Sequence, residues 1–230
     1  ESEGDTIAPH NSFNTEVGAP LTMLRVTDST KYLVSEFGAS AIGRIAKLAG
    51  IVEPDLGVVL MVGMAHAGGF GGIEATLKAK TELVQAVRPG GTAVLNADDA
   101  RVVTMADVAA ERGIEVRWFG RDAGEGLRAH NVEVTASGTS CDIVDGDQVF
   151  PLRLQVLGEH HVMNALAALS AARELGVDLA TGIARLETLE LAERWRMQPM
   201  GSDRVRIIND AYNASPDSMS AALRTLAQIT

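Results

Sequence analysis

The chain has 230 residues, 46% of them apolar and 22% charged, which suits one large or two small globular domains with a sizeable core. A net charge of −10 and a pI near 5.0 argue against a nucleic-acid or anionic-membrane partner, though not against a phosphorylated molecule held at a locally basic site. A single cysteine, Cys141, excludes an internal disulfide framework; with no run approaching the roughly 20 apolar residues of a membrane span and no signal-peptide pattern at residues 1–5, the expected location is cytoplasmic.

Taken in chain order, residues 32–34 read as a short buried strand leading to Glu36. Residues 40–50 have a helical pattern with Ile42, Ile45, Ala46 and Ala49 on one face. Residues 57–62 are wholly apolar, as expected of a strand inside a parallel sheet. The five glycines of residues 63–72 predict a loop, and residues 73–87 a helix stopped by Pro89-Gly90-Gly91. A strand at 92–96, a helix at 98–112 and a strand at 115–119 follow. Three short strands at 132–135, 141–144 and 149–156, separated by Ser-Gly and Asp-Gly turns, read as an antiparallel insert packed on the sheet. Helices are predicted at 162–175, 179–187 and 216–229, and a buried strand at 205–208. The fold class is α/β: a doubly wound, mostly parallel sheet with helices on both faces and a small antiparallel β insert.

Several residues are placed for chemistry. Asp210 follows the strand at 205–208, and open α/β sheets bind ligands at the carboxyl ends of their strands. Ser215-Pro216-Asp217-Ser218 then reads as a helix start. Read singly, Glu36 is either a solvated strand-end carboxylate or a hard oxygen ligand for Mg²⁺. His66 is either a structural histidine or a ligand at a strand end, and Lys80 a solvated helical lysine unless its surroundings say otherwise. His160 and His161 are adjacent, a spacing that rarely ligates one ion.

The decapeptide at residues 210–219, Asp-Ala-Tyr-Asn-Ala-Ser-Pro-Asp-Ser-Met, closely resembles the signature Asp-Ser/Ala-Tyr-Asn-Ala-Asn-Pro-Asp-Ser-Met of the Mur ligases, in their D-alanyl-D-alanine-adding branch. Other segments are similar to motifs of that family in the same order. Glu36-Phe37-Gly38-Ala39 resembles Glu-x-Gly-Ala, whose Glu helps hold magnesium. Met61-Val62-Gly63-Met64-Ala65-His66 resembles Asn-Val-Gly-x-Ala-His, whose His is a ligand of a second magnesium. Ala79-Lys80-Thr81-Glu82-Leu83 resembles Ala-Lys-x-Glu-Leu, whose Lys is carbamylated in several members; Lys78 is off that register. His160 and Asn164 fall in a segment similar to Gly-x-His-Asn-x-x-Asn-Ala, whose last Asn reaches the base or ribose of ATP. Arg194, with Arg196 as second choice, matches an Arg set against the γ-phosphate. Asn14 and Thr15 lie in a stretch similar to Phe-Asn-Asn-Glu-x-Gly-x-Pro-x-Thr, near the substrate's peptide end.

The resemblance implies catalytic roles for Lys80, His66 and Arg194, nucleotide contacts from Asn164, His160, Arg194, Asp210 and Asn213, and metal ligation by Glu36, His66 and Lys80. Asn14 and Thr15 would face the substrate. The implied cofactors are ATP, two Mg²⁺ ions and a carbamylated lysine. The implied partners are UDP-N-acetylmuramoyl-tripeptide and D-alanyl-D-alanine, with no nucleic acid and no membrane insertion. Residues 1–212 would form a central ATP-binding domain and 213–230 the start of a C-terminal ligase domain. No Gly-Lys pair occurs in the 230 residues, whereas the family's phosphate loop reads Gly-x-x-Gly-Lys-Thr/Ser. The expectation is therefore a fragment of a longer monomeric ligase, inactive and prone to self-association when isolated. Thr15, Met61, His161, Asn209 and Ser215 depart from the family pattern. Another amino-acid ligase of the superfamily, or a non-catalytic module of the same fold, is the alternative.

Overall fold

A computed structural model describes residues 3–38, 40–63, 71–191, 193–202 and 205–230. Two short parallel strands, β1 (Thr6–Ile7) and β2 (Tyr32–Leu33), form a small sheet of their own, with α1 (Gly18–Met23) between them in sequence. Helix α2 (Arg44–Val52) starts later than its apolar pattern predicts, because Gly43 precedes it at φ 89 and turns the chain. Ile42 is thereby left 48% exposed, while Ile45, Leu48 and Ala49 are buried.

The main sheet is built by β3 (Leu56–Val59), β4 (Thr92–Asn96) and β5 (Glu115–Gly120), all parallel, with α3 (Ile73–Ala86) crossing between the first two. The crossover to β5 is predicted as one helix but is two, α4 (Ala100–Val103) and α5 (Met105–Glu111). At the break, Thr104 Oγ1 donates to the Arg101 carbonyl at 2.7 Å, a local side-chain bond that competes with the helical ladder. Side-chain alternation along β4 divides the core. Ala93 and Leu95 pack with Val59, Val84, Val102 and Met105 on the face covered by α3, α4 and α5. Val94 packs on the other face with Phe119 and with Leu166 and Leu169 of α6 (Glu159–Glu174). Each fully buried Leu or Phe here contributes roughly 1.5–3 kcal/mol.

The antiparallel strands β6 (Leu127–Thr135), β7 (Gly138–Asp145) and β8 (Gln148–Leu154) do not lie on top of this sheet. They extend it edgewise, in the order β3-β4-β5-β6-β7-β8. The first residues of β6 pair in parallel with the last of β5 (Phe119 with Leu127, Gly120 with Arg128), so the meander closes an edge that would otherwise carry unpaired backbone. Its inward residues Leu127, Ala129, Ile143 and Leu152 join the same core as α6. After α7 (Leu179–Leu186) come β9 (Gln198–Ser202) and β10 (Val205–Asn209). The sequence predicts a buried strand for the second of these. It is instead half of a two-stranded antiparallel hairpin, with Val205 and Ile207 59% and 50% exposed. The apolar run satisfies its backbone locally with β9 and does not enter the main sheet. Helix α8 (Pro216–Ile229) completes the chain, its start fixed by a capping box between Ser215 and Ser218. No helix among the described residues is long and apolar enough to cross a membrane.

The turn into β6 depends on a bare α-carbon. Gly126 stands at φ 87, and a Cβ there would lie 2.0 Å from the Trp118 carbonyl oxygen; at Gly124, two residues earlier, a Cβ meets nothing within 4 Å. Gly126→Ala should cost about 2 kcal/mol or more in urea denaturation, and Gly124→Ala no more than about 0.5 kcal/mol. Equal effects would contradict this placement of β6.

Candidate nucleotide and metal site

Where β3 ends, three polar side chains from three elements take over its backbone. Asn96 Nδ2, at the end of β4, donates to the Leu60 carbonyl at 2.8 Å. Lys80 Nζ, on α3, donates to the Met61 carbonyl at 2.5 Å. Asp99 Oδ2 accepts from the Val62 amide at 2.7 Å, while its Oδ1 accepts from the Arg101 and Val102 amides and caps α4. Burial lowers the pKa of Lys80 from the usual lysine value, with the Asp99 carboxylate partly opposing the shift. Lys78, two residues away on the same helix, is exposed. His66 lies outside the described residues.

A second group forms around the loop after β2. Asn14 Nδ2 donates to Glu36 Oε1 at 2.8 Å, and the Gly38 amide donates to the Asn14 carbonyl at 2.8 Å. Thr15 Oγ1 accepts from the Gly18 amide at 3.2 Å, so its hydroxyl is engaged at the start of α1. Asn14, Thr15, Gly38, Ser40 and Arg44 line a shallow cavity of about 170 Å³. Glu36 is exposed and its second carboxylate oxygen has no partner among the described residues. That donor set fits magnesium, which takes one or two carboxylates and completes its shell with phosphate oxygens and water. Among the described residues, no three His, Cys, Asp or Glu side chains converge to form a closed protein cage for a metal.

The third group lies at the start of α6. The helix begins at Glu159, not 162, so His160 and His161 are in its first turn. Burial lowers the pKa of His160; the charge of Asp210 partly opposes this, and those of Arg196 and Arg224 add to it. Asn164 is exposed one turn along the same face. Asp210 Oδ1 accepts from the Met197 amide at 3.0 Å, and the Tyr212 amide donates to the Trp195 carbonyl at 3.1 Å. These bonds hold Trp195 and Met197 at φ 61 and 46, left-handed values that cost a non-glycine residue of order 1–3 kcal/mol. The Arg196 guanidinium lies 4.1 Å from the Tyr212 ring centroid.

A model of the Mur ligase middle domain matches residues 2–172. The chain belongs to the Mur ligase family. It is 41% identical, over 98% of its own length and 44% of the relative's, to the UDP-N-acetylmuramoyl-tripeptide–D-alanyl-D-alanine ligase of Mycobacterium tuberculosis (strain H37Rv). Its fold matches MurF from Acinetobacter baumannii with a TM-score of 0.92 at 29% identity, covering 99% of this chain and 49% of that one. It also matches MurF ligase from Thermotoga maritima in complex with ADP, with a TM-score of 0.85 at 26% identity, covering 99% of this chain and 52% of that one. The chain thus spans about half the length of these relatives.

Within this Mur ligase domain, the structure joins Asn14 to Glu36 and Lys80 to the end of β3, and brings His160 within electrostatic reach of Asp210. Of the two candidate arginines, it is Arg196 that lies over the Tyr212 ring and within electrostatic reach of His160. Arg194 is exposed, and its backbone amide donates to Glu193 Oε1 at 2.9 Å. Asn213 is exposed, with its side-chain oxygen accepting from the Ala214 amide at 2.8 Å. Sequence reasoning misses Asn96 and Asp99, although Asn-Ala-Asp-Asp directly after a strand carries a readable N-cap signal. It also misses Glu82 as a buried group with partners far along the chain.

His161 is 9% exposed and its Nε2 is buried without a hydrogen-bond partner. Burial, then the neighbouring His160 and Arg196, push its pKa down to about 4. The unfolded chain takes up this proton near pH 6.5, but the folded chain does so only near pH 4. Stability is therefore full above pH 6.5 and falls as the pH drops from there toward 4, by on the order of 3 kcal/mol for this group. His161→Asn should flatten the denaturation-midpoint profile across that window; an unchanged slope would show that His161 titrates normally.

Proposed function

We propose that these residues are the ATP-binding part of a ligase that joins D-alanyl-D-alanine to UDP-N-acetylmuramoyl-tripeptide in peptidoglycan precursor synthesis, in the cytoplasm. Residues 1–212 form its central domain and 213–230 open the next. The observation that carries this reading is the 41% identity, over 98% of the chain, to an enzyme of that name. The geometry supports it with a desolvated lysine at the carboxyl edge of a parallel sheet, where ligands of such sheets sit.

In the proposed reaction, a terminal carboxylate oxygen of the tripeptide attacks the γ-phosphorus of ATP and ADP leaves, giving an acyl phosphate. The amine of D-alanyl-D-alanine then attacks the acyl carbon. Inorganic phosphate leaves, the amine loses a proton, and the amide remains. Catalysis is chiefly positioning and charge neutralisation. Magnesium, when bound, supplies positive charge at the phosphate oxygens. Glu36 would hold one ion, and His66 with carbamylated Lys80 a second. Arg194, with Arg196 beside it, faces the γ-phosphate in this reading, and Asn164, His160, Asp210 and Asn213 surround the nucleotide. Asn14 and Thr15 face the peptide.

Lys80 has a specific part. Carbon dioxide adds only to a neutral amine, and an ordinary lysine near pKa 10.4 is almost wholly charged at pH 7. The burial that lowers the pKa of Lys80 enlarges the neutral fraction, while Lys78 has no such environment. The Nζ–carbon bond forms, one proton is lost, and the side chain becomes a carboxylate that can ligate a metal.

In the full-length enzyme, Lys80→Ala should lower turnover by on the order of 100-fold, the upper range for loss of a group that supports a metal site. Added formate should restore part of it by filling the vacated carboxylate position. Lys78→Ala should leave turnover within about twofold of the parent, as for a surface change. Near-normal turnover in Lys80→Ala would overturn the metal-site assignment.

A further inference from the structure

We propose that Glu82 is a positioning residue that fixes Glu36 relative to Lys80, and so sets the spacing of the two magnesium-holding groups; this rests on the reading that Glu36 and Lys80 serve that purpose. Glu82 lies on α3 and is 6% exposed. A carboxylate this deeply buried is costly unless its oxygens are satisfied. Both are. One oxygen accepts from the Gly43 amide and the other from the Ala46 amide at 3.0 Å. These donors lie at the first turn of α2, where amides have no partner inside the helix and the helix dipole favours a negative charge. The contacts bridge 39 and 36 residues of sequence, so they fix one element against another.

Helix α2 in turn borders the group around Glu36: Arg44 and Leu48 line the same cavity as Asn14 and Gly38, and Lys47 Nζ pairs with Glu16 Oε1 at 3.3 Å. Gly43 takes a left-handed φ of 89, which lets the incoming chain turn sharply into α2. Upstream, the Gly38 amide is bonded to the Asn14 carbonyl, and the Asn14 side chain to Glu36. On the other side, Lys80 is two residues from Glu82 on the same helix, and a spacing of two places them on different faces. Lys80 reaches the end of β3 while Glu82 reaches α2. One helix therefore carries Lys80 directly and is clasped to α2, which meets the Glu36 group at that shared cavity.

The test uses the full-length enzyme with Glu82→Gln. The amide keeps the side chain's shape, but its NH₂ cannot accept from the second backbone N–H. Mn²⁺, standing in for Mg²⁺, is titrated by electron paramagnetic resonance in the presence of a non-hydrolysable ATP analogue. The variant should bind Mn²⁺ about 10-fold more weakly, the lower range for losing an outer support of a metal site. Its kcat should fall, and raising the Mg²⁺ concentration should recover part of the loss, because the deficit lies in metal affinity. A purely structural role would lower the melting temperature and leave the Mn²⁺ affinity of the folded protein unchanged, and that result overturns the proposal. Should Glu82→Gln not fold, Glu82→Asp, which withdraws the carboxylate by one methylene, is read by the same titration and the same criterion. Glu36→Ala is titrated alongside. If it weakens Mn²⁺ binding and the Glu82 variant does not, only the positioning role fails; if neither does, the metal reading fails and the positioning role with it.

Discussion

Past the end of β3, the backbone of Leu60, Met61 and Val62 is satisfied by side chains from elsewhere, and the candidate site is assembled by that requirement. Leu60 and Met61 are exposed, so each such bond contributes a net of roughly 0.5–1.5 kcal/mol. Asn96, Lys80 and Asp99 supply the partners, and they arrive from β4, α3 and the cap of α4. Each bond also draws its element toward the strand end. The lysine that finishes the backbone is thereby taken out of water, which lowers its pKa. The interactions that complete the fold at this edge are the ones that give the edge its chemistry.

A similar economy holds at the start of α6. Asp210 and Tyr212 of the decapeptide bind the backbone of Met197 and Trp195 and keep that connection in a left-handed conformation that these residues avoid when unconstrained. Arg196 is carried on this connection and stacks on Tyr212 beside His160. Helix α8 adds to the arrangement. Gln228 Nε2 donates to Glu159 Oε1 at 2.8 Å, while Arg121 Nη1 pairs with the other oxygen of Glu159 at 3.3 Å. The first turn of α6 is thus tied both to the end of β5 and to the last helix.

Much of this was legible in the sequence. The strands at 92–96 and 115–119 follow from hydrophobic pattern, as does the strand read at 57–62, although β3 ends at Val59 and the last three residues of that run lie beyond it. Lys78 and Lys80 are two positions apart; the register of Ala-Lys-x-Glu-Leu points to Lys80, and it is Lys80 that is half-buried while Lys78 is exposed. What was not legible is long-range pairing. The pattern of 132–156 shows a meander but not which edge it joins; that is settled by Leu127 pairing with Phe119. The run at 205–208 is as apolar as a core strand, yet its neighbour is β9, whose Gln-Pro-Met-Gly-Ser carries little strand signal. Glu82 looks like any helical glutamate, since its two partner amides belong to residues 43 and 46 and backbone donors leave no mark in a sequence.

The proposal on which the rest turns is that Lys80, whose pKa is lowered by burial at the end of β3, accepts carbon dioxide on its neutral amine. Carbon-13 NMR of the full-length enzyme equilibrated with ¹³C-bicarbonate reads this directly. A carbamate resonance should be present in the parent and in Lys78→Ala and absent from Lys80→Ala. No carbamate signal in the parent, or one that persists without Lys80, would contradict it.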